Sequence, residues 1–92
     1  MDTDRKDTNI QIGKRLREAR RNMNIDKVEI AEVLGVTVEH YRKFEAGSTG
    51  LSVDKILILY RIYGIDSTYL ITGVSSNAME FNLEYYVANS SK

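Results

Sequence analysis

The chain has 92 residues, 13 Lys and Arg balanced by 13 Asp and Glu, and neither proline nor cysteine. Such a length holds one domain with one core and excludes a multidomain enzyme. Without cysteine, no disulfide framework or thiolate metal site can supply stability, so the core must do so alone. No run of about 18 apolar residues occurs, and the N-terminal stretch is charged, so neither a membrane span nor a secretory leader is expected. A soluble, cytoplasmic protein is.

The lack of proline suits short helices stopped by glycine, because proline inside a helix costs about 3 kcal/mol. Charge is unevenly placed despite the zero balance. Between residues 5 and 21 stand Arg5, Lys6, Lys14, Arg15, Arg17, Arg20 and Arg21 against Asp7 and Glu18. From Ile62 onward the only base is Lys92. A basic partner-binding face and a merely solvated helix face both fit this pattern.

Thr8 and Gln11 have capping-box spacing, and Ile12, Leu16, Ala19 and Met23 follow at helical steps, which predicts a first helix of about four turns. Asp26 and Glu29 form a second such box, opening a short helix that turns Ile30, Ala31 and Leu34 inward and stops at Gly35. Thr37 caps a third helix with Val38, Tyr41 and Phe44 at three-residue steps, ended by Gly47. Ser52 caps a fourth, through Val53, Ile56, Leu57, Tyr60 and Tyr63 to Gly64. Asp66 opens a fifth, with Tyr69 and Leu70, closed by Gly73. Tyr60, Tyr63 and Tyr69 are read as core or half-core residues and not as a base-stacking platform. The class is all-α.

The stretch Lys27 to Gly47, KVEIAEVLGVTVEHYRKFEAG, narrows the reading. Ala31 is small where two helices cross, Gly35 can take the positive φ of the turn, and Tyr41 and Phe44 anchor the next helix from beneath. The opposite face, Val38, Glu39, His40, Arg42 and Lys43, is left to solvent or a partner. This layout, with IGKRLREAR before it and YGIDSTYLITG after it, resembles the helix-turn-helix family of lambdoid-phage repressors, Cro proteins and similar bacterial regulators.

The resemblance implies a five-helix, lambda-repressor-like DNA-binding domain over residues 9–73, preceded by an arm at 1–8 and followed by a linker and tail at 74–92. It implies a transcriptional regulator, a repressor by preference, reading the major groove with its third helix. Base contacts fall on Lys27, Val38, Glu39, His40 and Lys43. Phosphate contacts fall on Thr37, Arg42, Ser48 and Thr49, with Arg5, Lys6 and Asn9 in support. Arg20 and Glu45 match a family ion pair that should be largely buried. Double-stranded DNA carrying a pseudo-palindromic operator is the implied partner, bound by a homodimer joined through helices 4 and 5 and the tail.

Several residues depart from the family pattern. Lys27 stands where glutamine is usual, Asp26 lies where a phosphate would approach, and Glu39 brings a carboxylate to the presumed groove face. These changes encode sequence preference, or they mark an antirepressor- or antitoxin-like interaction module that no longer binds DNA. Val28, apolar where the family is exposed, is read as extra core in preference to a protein contact. His40, the single histidine, makes no metal site alone, and no catalytic constellation is readable, so neither enzymatic activity, a cofactor nor a small-molecule ligand is expected. In the tail, Met79, Phe81, Leu83, Tyr85 and Val87 alternate as in a strand, although a helix through Met79, Leu83, Tyr86 and Val87 is also compatible. Either would dimerise or fold back on the domain.

Overall fold

The computed structural model describes residues 2–76, and they form an all-α domain of five helices: α1 (Asp2–Asn22), α2 (Lys27–Leu34), α3 (Val38–Ala46), α4 (Val53–Tyr63) and α5 (Ser67–Thr72). The alternating tail segment from Met79 to Val87 lies outside the described residues.

Punctuation follows the chemistry of the caps. The side chains of Asp26, Thr37 and Asp66 accept hydrogen bonds from the backbone N–H groups of Val28, His40 and Tyr69, each closing an otherwise open first turn. Ser52 holds the N-cap position of α4 but makes no side-chain cap hydrogen bond. Glu29 does not complete a capping box; its carboxylate accepts from the Tyr63 hydroxyl at 2.9 Å and ties α2 to α4.

Between α2 and α3, Gly35 takes φ 71°, and the N–H groups of Gly35 and Val36 return to the carbonyls of Glu32 and Ala31. These paired bonds satisfy the helix end and aim the chain into the next helix. Asn24 ends α1 in the same way at φ 57°, the one described non-glycine residue with positive φ.

The start of α1 corrects the sequence reading. The helix begins at Asp2, so residues 2–8 are helical and Thr8 is no cap. The Thr8 hydroxyl instead donates to the Asp4 carbonyl one turn back, at 2.8 Å.

Leu16, Ile30, Tyr41, Leu59 and Leu70 are fully buried, and Ile25, Ala31, Leu34, Phe44, Ile56 and Ile65 complete the core. Each large apolar side chain so buried contributes about 1.5–3 kcal/mol, which holds together helices too short to persist alone. Packing runs α1 on α3 and α5, α2 on α3 and α4, and α4 on α5.

Five expected core positions are corrected. Met23 is exposed because the inward position of the last α1 turn is occupied by Arg20. Val28 is 56% exposed, so it adds nothing to the core. Tyr60 is exposed with Val53 and Leu57, because α4 buries the face bearing Ile56 and Leu59 and leaves the face bearing those three open. Tyr63 and Tyr69 remain partly buried.

Candidate nucleic-acid interface

α3 is fixed from beneath by Tyr41 and Phe44, and its position against α1 depends on two glycines. A Cβ on Gly13 would lie 2.5 Å from the Phe44 carbonyl oxygen, and one on Gly47 would lie 2.5 Å from the Ile10 Cα. The backbones of α1 and of the end of α3 therefore meet with no room for a side chain. Sequence reasoning assigned the close crossing to Ala31 and missed Gly13, since a glycine inside a helical run gives no periodic signal.

A charged cluster locks the same crossing. Arg20 donates through Nε to Glu45 Oε2 at 2.6 Å and through Nη1 to the Ile25 carbonyl at 3.0 Å, while the Tyr41 hydroxyl donates to Glu45 Oε2 at 2.5 Å. The Arg20 and Glu45 side chains are 10% and 7% exposed. Among the described residues no buried side-chain polar atom lacks a partner. Hydrogen bonding to Glu45 raises the Arg20 pKa against the opposing effect of burial. Burial first, and the Glu45 carboxylate second, push the Tyr41 phenol far above its ordinary value. Tyr63 is pushed up to about 12 by burial and by its bond to Glu29.

These shifts set a direction with pH. An unfolded tyrosine releases its proton near pH 10, while the folded protein keeps Tyr41 and Tyr63 protonated, so the native state binds more protons above that pH. Their stabilisation is complete below about pH 10 and is lost as pH rises beyond it. In denaturant titrations the unfolding free energy should fall above about pH 10, and Tyr41→Phe should flatten that fall; an unchanged slope would remove Tyr41 as its cause.

With the scaffold fixed, α3 turns Glu39, His40, Arg42 and Lys43 outward, all exposed, whereas Val38 rests partly buried against the core. The His40 ring lies 4.8 Å from the Phe44 ring. Arg42 Nη1 donates to Glu39 Oε1 at 2.7 Å, so two residues expected to contact DNA separately hold each other. Thr37 is occupied as the α3 cap, and the Ser48 and Thr49 N–H groups donate to the Lys43 carbonyl at the other end of α3.

Two shallow hollows flank α3. One is lined by Arg5, Lys6, Asn9, Gly47 and Ser48, so the start of α1 reaches the loop that follows α3. The other is lined by Arg17, Lys27, Arg42, Glu45 and Ala46. Arg17 was not expected there. It precedes Arg20 by one helical turn and so lies beside the ion pair, a placement that helical spacing could have signalled. Arg15 is placed elsewhere, its guanidinium accepted by the Leu70 and Ile71 carbonyls at the end of α5.

A helix-turn-helix domain family model matches residues 13–76, and the chain belongs to that family. No curated protein and no solved structure matches the chain. The family is one of double-stranded DNA binding and transcription regulation, which agrees with a cationic α3 face carried on α2 and α3. No described helix is long and apolar enough to cross a membrane, and no group of three or more metal-ligating side chains is gathered among the described residues.

Proposed function

We propose that this chain is a sequence-specific transcriptional regulator of the phage-repressor and Cro kind, acting as a repressor by occupying an operator in the cytoplasm. The observation that carries this reading is the outward face of α3. Lys43 is exposed there with no hydrogen bond or ion pair from its side chain among the described residues, and Lys27 at the start of α2 is likewise unpaired, though partly buried. Unpaired cations on a rigid helix are suited to guanine O6 and N7 in the major groove, and Glu39 to cytosine N4. Thr37, Arg42, Ser48, Thr49, Arg5, Lys6 and Asn9 supply phosphate contacts around them.

The protein acts as a homodimer through α4, α5 and the tail. The exposed apolar side chains Val53, Leu57 and Tyr60 on α4 and Ile71 on α5 support this. On the duplex that the protein enriches from a random pool, Lys43→Ala should cost about 1–3 kcal/mol and relax preference at one base position. An unchanged affinity would remove α3 from the groove.

A second reading, a protein-interaction module on the same fold, is favoured by the exposed Val28 and by the mutual neutralisation of Glu39 and Arg42. It predicts no enrichment of any duplex.

A further inference from the structure

Arg42 has two destinations on the surface of α3. In the free protein it pairs with Glu39, both side chains largely in solvent, at 56% and 78% exposure. It also lines the hollow that it shares with Arg17 and Lys27, neither of which holds a hydrogen bond or ion pair among the described residues. Glu45, the one acid lining that hollow, has its charge taken by Arg20, which reaches both its oxygens, while the Tyr41 hydroxyl also donates to Oε2. The hollow therefore presents net positive charge where α1, α2 and α3 meet, chemistry suited to phosphodiester oxygens.

Resting on the DNA-binding reading above, but turning Lys27 from a base edge to the backbone, we infer that Arg17, Lys27 and Arg42 form one backbone-phosphate site, and that Glu39 withholds Arg42 from it unless a cytosine amino group takes the place of Arg42. On a duplex without that cytosine Arg42 stays on Glu39 and a phosphate contact is lost, because moving it to the phosphate would leave a bare carboxylate in the negative potential of the groove. On a duplex with the cytosine, N4–H donates to Glu39 while Arg42 joins Arg17 and Lys27 at the backbone. An exposed ion pair is weak enough to be exchanged in this way. Reading one base thus adds a phosphate contact, and specificity gains from a residue that also opposes nonspecific binding.

The test uses the full chain, the duplex enriched from a random pool, and a scrambled duplex of equal length, each titrated across salt. For the wild type, the slope of log affinity against log salt should be steeper by about one on the enriched duplex. Glu39→Ala should raise the slope on the scrambled duplex by about one, strengthen that binding about five- to tenfold, and erase the cytosine preference. Arg17→Gln should lower the slope by about one on both duplexes and leave the enriched motif unchanged. Equal wild-type slopes, or slopes that neither variant moves, would overturn the inference while an enriched motif still upheld DNA binding. Failure to enrich any duplex would instead remove the reading on which it rests.

Discussion

Arg20→Ala is expected to lower the unfolding free energy by about 3–5 kcal/mol, a large share of the stability of so small a domain. The loss does not come from a missing attraction alone. Removing Arg20 strands the Glu45 carboxylate, whose side chain is 7% exposed, and leaves the Ile25 carbonyl without its donor. Among the described residues it also leaves Tyr41 as the one side-chain donor to Glu45. A buried charge without its partner costs more than the pair contributed, and this distinguishes the mechanism from simple loss of packing. The combined change Arg20→Met, Tyr41→Phe and Glu45→Leu removes charge and polar groups together and should cost well below the single change. Chemical denaturation of the two proteins decides the matter. Equal losses would mean that packing volume, not the stranded carboxylate, sets the cost.

Gly47→Ala is expected to cost about 3 kcal/mol or more, in two parts. The residue sits at φ 78°, where an L side chain is strained by about 1–2 kcal/mol. Its Cβ would also lie 2.5 Å from the Ile10 Cα and 2.7 Å from the Ile10 N, backbone atoms that yield only if α1 lifts from α3. That overpacking adds about 1–3 kcal/mol. Gly35 provides the comparison, because its φ is 71° but no atom lies within 4 Å of the Cβ position. Gly35→Ala should therefore carry the backbone part alone, about 1–2 kcal/mol. Equal costs at the two positions would contradict the close α1–α3 crossing. Lifting α1 would also part Arg5, Lys6 and Asn9 from Ser48, so DNA affinity should weaken with stability.

The contrast between these glycines shows what a sequence displays and what it hides. Glycines 35, 47, 64 and 73 all close helices in the left-handed region, and Asp26, Thr37 and Asp66 all cap, because local chemistry decides those positions. Which glycine also touches a distant backbone depends on packing, and no local rule gives it. The start of α1 was misread for a related reason. A Thr with Gln three residues on marks a helix start only where the preceding chain is not itself helical, and Thr8 bonds back to Asp4 instead.

Periodicity served where one face is apolar and failed where several are. On α2, Ile30, Ala31 and Leu34 are buried as spaced. On α4 apolar residues surround the axis, so spacing could not choose between the buried Ile56 and Leu59 and the exposed Val53, Leu57 and Tyr60. At the end of α1, counting apolar residues placed Met23 inward, whereas the inward place belongs to Arg20, kept there by Glu45. The pairing of Glu39 with Arg42 is legible from its three-residue spacing. Arg17, legible from its place one turn before Arg20, enters the candidate site next to Lys27 and Arg42.

The central claim, that α3 reads a DNA sequence, is tested most directly by selecting bound duplexes from a randomised pool with the full chain at low salt. A motif with two-fold symmetry, its half-sites about one helical turn or about 34 Å apart, is the predicted result. A pool that returns no enriched sequence at low salt would contradict it.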